Sequence, residues 1–266
     1  MLDGVDPHWL AALRAGADLP PLRNRVRLQV GAALIGSVEP QVLNRIEPLL
    51  LRDGTPVLKG ADWGRAVQLQ GEPTASLALV AAALRDTGLA HAWRDEQLAV
   101  PDAQGRRVAT VERAVVRVLG VTTHAVHLVG LSPDDRVWVQ QRSLDKANDP
   151  GLWDTLMGGM VSAADSVESA LVRETWEEAG LVTSSLLHVA RGGRITTRRP
   201  SSDGAGAGYV IEHIDWYRCV VPDGMKPLNQ DGEVQQFALV DSVDLARQLQ
   251  RNAFTQEAAL ILCDAL

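Results

Sequence analysis

The chain has 266 residues, 46% hydrophobic and 22% charged; this is the balance of a folded globular protein, outside the disordered and collagen-like ranges, and the length suits two ordinary domains. A formal charge of −7 excludes a polyanion binder held by a broad basic face, so no nucleic-acid polymer is expected as a partner and any phosphate contact is local. The two cysteines, Cys219 and Cys263, stand too far apart for a metal-ligand pair or a disulfide framework, and no apolar run reaches signal-peptide or membrane-span length. A reducing, cytoplasmic setting without membrane contact is expected.

The chain opens with an amphipathic stretch from Trp9 to Leu13. VRLQVGAALIGSV reads as strand as far as Gly36, with Ser37 as the cap of a helix over residues 38–51. A tryptophan-containing connection at Asp62 to Gly64 follows, then a short strand over 66–70 and an Ala/Leu-rich helix over 74–85 that Gly88 stops. Together these make a minor α/β module with no catalytic constellation. The polar segment 94–107, with Pro101 and Gly105, precedes a change of character at 112–120, so the boundary falls there. Residues 1–115 are expected to form an N-terminal α/β domain of unassigned role, and residues 116–266 the second domain.

In the second part, residues 124–131 and 137–142 read as strands joined by a turn at Ser132 to Arg136. A helix is expected over 166–179, stopped by Gly180, then strands over 186–190, 209–221 and 234–240 and helices over 243–249 and 256–265. SSDGAGAG, residues 201–208, is a mobile loop by composition.

The helix over 166–179 carries Glu174, Glu177 and Glu178 at i, i+3 and i+4. At about 100° per residue their carboxylates share one face, and such crowding destabilises an isolated helix by a few tenths of a kcal/mol per pair. A bound cation would offset that repulsion. Val172, Trp176 and Ala179 fall on the other side and are expected to anchor the helix in a core. Hard oxygen ligands favour Mg2+ or Mn2+ over zinc and leave positions for water and phosphate oxygens. Such an ion neutralises phosphate charge and lowers the pKa of a bound water, while a free carboxylate accepts the proton. Acids on one helix face are by themselves more often a solvated surface, so the flanking residues decide.

Those flanks are GGMVSAADSVESALVRETWEEAGL. Gly159, Arg173, Glu174, Glu177, Glu178 and Gly180 stand at the spacings of the Nudix box, which this segment resembles. Asp165 replaces the first Glu of that pattern and Thr175 its aliphatic residue. The resemblance implies an α/β (α+β) fold whose C-terminal part is an α/β/α sandwich with a mixed sheet, preceded by the smaller α/β domain. It implies a metal-dependent hydrolase that cleaves a diphosphate linkage by water attack. Glu174, Glu177, Glu178 and the Gly159 carbonyl would hold the metal, with Gly159 also read as a turn glycine of positive φ. Arg173 would orient Glu174 and pair with Asp165, while Glu233 in DGEV sits where several such enzymes place a second catalytic acid. Glu174 or Glu178 could be the base instead.

Glu112, Arg113, GVTTHAVHLVG, QQRSLDKANDPGLWDTLMGGM, PLNQDGEVQQFALV, Phe254 and EAALIL extend the likeness. They are similar to a Nudix subgroup with its own N-terminal α/β domain, related to the Nudix partner of fungal and plant thiamine pyrophosphokinases. That implies a small-molecule diphosphate substrate, namely thiamine diphosphate or its oxidised analogues. Oligomeric state stays open, a homodimer among the options.

Arg142 and Lys146 lead into Gly159 and are candidates for substrate phosphate binding. Arg191, Arg194, Arg198 and Arg199 form a basic run that reads as a solvated edge or as a cover for a diphosphate. His124 and His127 point to opposite faces of a strand and so share no metal; Trp138, Trp153 and Trp216 read as core anchors. Two other functions compete. Isopentenyl diphosphate isomerisation needs an active-site cysteine near the motif, and Cys219 and Cys263 are distant in sequence. A Nudix-fold sensor would bind a diphosphate without cleaving it.

Overall fold

The computed structural model describes residues 4–52, 55–60, 64–90, 92–146 and 148–266; Asp62 and Trp63 of the expected connection lie outside them. Helix α1 (Pro7–Gly16) is capped by Asp6, whose carboxylate accepts from the His8 N–H at 2.8 Å. The run read as one strand through Gly36 is a hairpin, with β1 (Val26–Val30) and β2 (Ala33–Val38) paired antiparallel across Gly31. Ser37 therefore lies in β2 and caps no helix. Val38 is fully buried as the strand's last residue, and helix α2 (Pro40–Ile46) begins only at Pro40, whose fixed φ and missing N–H suit a first turn.

Short strands β3 (Leu51–Arg52), β4 (Thr55–Pro56) and β5 (Leu58–Lys59) lead to β6 (Ala66–Leu69), giving a sheet in the order β2-β1-β6-β5. Helix α3 (Pro73–Asp86) is capped by Glu72, which accepts from Thr74 N at 3.1 Å and Ala75 N at 2.7 Å. The polar segment at 94–107 holds most of a second hairpin, β7 (Gln97–Pro101) with β8 (Arg107–Glu112). Leu98, Val100, Ala109 and Val111 alternate inward there, with Ala99 and Thr110 between them. They join α2, α3 and the first sheet in one apolar core. Val115, Val116, Val118, Leu119 and Val121 belong to that core as well, on both sides of residue 115.

The second sheet contains β9 (Thr122–Leu131), β10 (Val137–Arg142), β11 (Trp153–Asp154), β12 (Met157–Met160), β13 (Leu187–Ser201), β14 (Gly208–Val220) and β15 (Val234–Val240). Its order is β11-β10-β9-β14-β13, with β12 also on β9 and β15 on β10. β14 runs parallel to β9 and the other pairs are antiparallel, so the sheet is mixed as expected. Between β12 and β13 lies helix α4 (Val167–Ala179). It covers one face of the sheet, packing Ala170, Leu171 and Ala179 on Val126, Leu128, Leu156 and Met157. Helices α6 (Ser242–Gln250) and α7 (Gln256–Ala265) cover the other, where Leu245, Leu249, Ala258 and Ile261 meet Ala125, Val129 and Ile214. Leu10, Trp9 and Leu13 of α1 pack into this same core. The fold is an α/β/α sandwich with a smaller α/β module.

β13 reaches well past residue 190 because it pairs with β14 down to Ser201; its many arginines and threonines disguise the strand. The glycine-rich piece at 201–208 is the hairpin connection, with one tight turn, α5 (Asp203–Gly206), whose Gly204 and Ala205 are left-handed at φ 60° and 57°; just beyond it Tyr209 N donates to Arg117 O at 2.8 Å.

Candidate active site

Helix α4 is built to hold its position. Ser166 accepts from Ser169 N at 3.1 Å while Ser166 N donates to Ser169 Oγ at 2.9 Å, a reciprocal cap. At the other end Gly180 adopts φ 62°, with Leu181 N donating to Thr175 O at 3.3 Å. The expected packing face is rotated. Val172 and Trp176 are 53% and 52% exposed, whereas Leu171, Thr175, Glu178 and Ala179 face inward. Thr175, in the aliphatic position of the motif, is fully buried, and its hydroxyl donates to Leu171 O at 2.6 Å, so no polar atom is stranded.

The inward face brings Glu178 to the floor of a cleft of about 380 Å³. Arg142, Lys146, Gly159, Arg173, Glu174, Glu177, Glu178 and Glu233 all line this cleft. Glu178 is held by Gly158 N at 3.0 Å, Gln140 Nε2 at 2.8 Å and Lys146 Nζ at 3.6 Å. Burial still raises its pKa, with Lys146 and the two hydrogen bonds opposing. One turn earlier, Glu174 is pushed up to about 7, first by burial and then by the charge of Glu178.

Gly159 is not a turn residue: it pairs with Val126 within β12. A Cβ there would lie 2.2 Å from Glu174 Cδ, so glycine is required because the carboxylate lies directly against the backbone. Arg173 fans across the acids, with Nη1 on Glu174 at 2.9 Å and on Glu177 at 2.9 Å, and Nε and Nη2 on Asp165 at 3.0 and 2.8 Å. Burial works against its charge, but these three acids raise its pKa further. Asp165, although shorter than the usual Glu, still reaches Arg173, accepting both donors on one oxygen, Oδ2, while its Oδ1 accepts from Ser169 Oγ at 3.0 Å.

Across the cleft Glu233 accepts from Lys146, which thus bridges Glu233 and Glu178. Burial would raise Glu233, yet Lys146 holds it below the usual carboxylate range. Arg142 donates to Asn148 O at 3.1 Å and stands 3.4 Å from Asp154, while its Nε is buried without a partner. Among the described residues, no group of three or more His, Cys, Asp or Glu side chains is arranged to ligate a metal. The reason is visible: Arg173 occupies oxygens of Glu174 and Glu177. The donor chemistry nevertheless fits a hard divalent cation. Glu174 and Glu178 line one floor, burial raises the pKa of both despite Arg173 and Lys146, and all the donors are oxygens.

Of the basic run, only Arg199 reaches the cleft, paired with Glu257 at 2.8 Å. Arg191 and Arg194 both clamp Asp215 at 2.6 Å, and Arg198 stands 3.6 Å from Asp18. His124 meets His213 with ring centroids 5.4 Å apart and planes tilted by 55°, while His127 shares a 2.9 Å hydrogen bond with Thr155 Oγ1 on the cleft side. Trp153, Trp138 and Trp216 pack against the cores as read. Sequence reasoning missed Arg94, Glu96, Arg113 and Arg117 from the N-terminal module, and Glu212 and Glu257 from the sandwich. No local spacing links them; only the paired strands bring them together.

Comparison with known proteins agrees with this geometry. A family model for the NUDIX domain matches residues 121–261. Nudix hydrolase 24, chloroplastic, of Arabidopsis thaliana is 27% identical over 269 residues, covering 91% of this chain and 69% of that protein. Nudix hydrolase 20, chloroplastic, of the same plant is 28% identical over 212 residues, 75% of this chain, which spans just 54% of that relative's length. An isopentenyl-diphosphate Delta-isomerase of Streptomyces avermitilis is 27% identical over 160 residues, 59% of this chain and 77% of its own. The crystal structure of DR0079 from Deinococcus radiodurans shares the fold at a TM-score of 0.50 and 17% identity, covering 64% of this chain and 100% of that one. The chain belongs to the Nudix family, and residues 121–261 are a hydrolase domain of the kind that acts on pyrophosphate bonds.

Proposed function

We propose that the protein cleaves the diphosphate linkage of a small organic molecule, using Mg2+ or Mn2+ held by Glu174, Glu177, Glu178 and the Gly159 carbonyl. The observation that carries this reading is the fan of Arg173 over three acids directly against Gly159, which preorganises the carboxylates on a rigid helix. When bound, the ion supplies charge neutralisation for the phosphates and a more acidic water. Arg173 orients Glu174 and Glu177. Arg142, with an unspent buried Nε, and Lys146 meet the phosphate oxygens. Lys146 also keeps Glu233 ionised, so Glu233 stands ready as proton acceptor at the cleft rim, while Glu174 and Glu178 are the alternatives on the floor.

The substrate follows from the subgroup resemblance: thiamine diphosphate or its oxidised analogues are the first compounds to try. The decisive experiment is release of the monophosphate products from thiamine, nucleotide-sugar and dinucleotide diphosphates, with and without Mg2+; inorganic phosphate accompanies them only for thiamine diphosphate. Release from none of them would favour the sensor reading and overturn this one. Isomerase chemistry lacks its thiol, because both cysteines are buried outside the cleft and burial pushes Cys219 up to about 12 and Cys263 to about 11. The two free cysteines also support a reducing, cytoplasmic setting, which fluorescence microscopy of the tagged protein would check. Among the described residues no helix is long and apolar enough to cross a membrane. Oligomeric state, with a homodimer among the options, is checked by light scattering.

A further inference from the structure

The catalytic cleft does not end at the acids of α4. A second cavity of about 240 Å³ adjoins it, and Arg94, Arg113, Arg117, Asn148 and Met160 line both. At that volume it falls below the roughly 300–1,000 Å³ of a whole small-molecule site, so it serves as an extension of the cleft. Its walls combine two chemistries. Leu89, Ala114, Val116 and Met160 supply an apolar side, and the three arginines supply charge.

Those arginines are only partly spent. Arg113 uses Nη1 on Glu96 at 2.6 Å and Arg117 uses Nη1 on Asp203 at 3.4 Å. Arg94 is exposed and donates no side-chain hydrogen bond to any described residue. A guanidinium carries five N–H donors in a planar fork, so all three keep donors free. Arg94 and Arg113 also act electrostatically on Glu233, which places their charge within reach of the cleft. The module that carries them is fixed in place: Arg107 Nη1 donates to Ala163 O at 2.7 Å, and Ala163 N donates to Gln97 O at 2.7 Å. The acids that attract a cation and the arginines that attract an anion thus line one cleft, and the arginines continue into the adjoining cavity.

We infer that the N-terminal module forms a second anion subsite, in which Arg94, Arg113 and Arg117 bind a phosphate carried on the organic part of the diphosphate substrate. The inference rests on the diphosphate-cleaving reading of the main cleft but not on its thiamine assignment, with which it competes: the two predict opposite orders of affinity. The preferred substrate carries a second phosphate beyond the scissile linkage, with a small apolar body against Val116 and Met160. A cationic organic group, as in thiamine diphosphate, meets the arginines unfavourably.

Matched ligands test this without turnover. NADP differs from NAD, and coenzyme A from its dephosphorylated form, by one phosphate distant from the diphosphate. Calorimetric titration of the metal-free protein should show the phosphorylated member of each pair binding about tenfold tighter or more, as an added Arg–phosphate contact implies. Arg94→Gln and Arg117→Gln should each shrink that ratio, and Arg94→Lys should restore part of it, which a purely structural effect would not do. Equal affinity within both pairs, no binding by any member, or tightest binding by thiamine diphosphate unaffected by Arg94→Gln would overturn the subsite. A preserved ratio with no product from any ligand in Mg2+ would instead sink the hydrolase reading. Equal product from both members of each pair would leave hydrolysis standing and remove the subsite.

Discussion

The two walls of the cleft are assembled by different means. The α4 wall draws Arg173, Glu174, Glu177 and Glu178 from six consecutive residues of one capped helix, so its geometry is fixed by 3.6-residue spacing. The opposite wall takes Arg94, Glu96, Arg113 and Arg117 from the rim of a hairpin and the turn after it, and holds them only because the module is docked on the sandwich. A helix places reactive groups at reproducible separations, which suits chemistry. A docked module can vary its rim without disturbing the acids, which suits selection among substrates.

This contrast can be broken at either wall. Removing divalent ions with EDTA should bring diphosphate cleavage to background, and Mg2+ or Mn2+ should restore it; activity surviving chelation would end the metal assignment. Glu177→Gln combined with Glu178→Gln should then lower kcat by about 10²- to 10⁴-fold with unchanged circular dichroism. Gly159→Ala should cost on the order of 10²-fold, since its Cβ displaces the Glu174 carboxylate; wild-type turnover would show that the contact is slack.

Stability variants then probe the docked wall and the helix in turn. Arg25 stitches the module to the sandwich, donating to Ala207 O, Ser37 Oγ at 2.9 Å and Val118 O at 2.8 Å. Arg25→Ala should lower unfolding free energy by about 2–4 kcal/mol in urea titration, with KM rising more than kcat falls. Thr175→Val, at the other wall, should change stability by less than about 1 kcal/mol: the lost hydroxyl bond to Leu171 is offset by better apolar packing.

The same contrast explains what could be read in advance. The acids of α4, its start near residue 166 and its stop at Gly180 follow from local spacing and side-chain chemistry, whereas the reciprocal cap of Ser166 and Ser169 emerged only in the structure. The rotation of α4 does not: a helical wheel separates faces without saying which meets the sheet, so Trp176 and Val172 were expected inside and stand outside. β7 and β8 were hidden because each contributes only two inward apolar residues, set apart by Ala99 and Thr110 and flanked by Gln97, Arg107 and the polar turn between the strands. Arg94 and Arg117, in turn, carry no local pattern; a groove wall built from distant residues becomes visible only in three dimensions.

The packing of α1 has a mechanical consequence. Because Leu10 and its neighbours sit in the core beneath α7, the chain touches the sandwich, leaves to form the module, and returns at β9. A body on a single linker swings like a door, whereas one moored at both ends behaves as a bridge span that transmits load and resists rotation. Excising residues 121–261 as a free-standing enzyme would therefore strip out a supporting beam along with the span, and such a fragment should melt well below the intact protein.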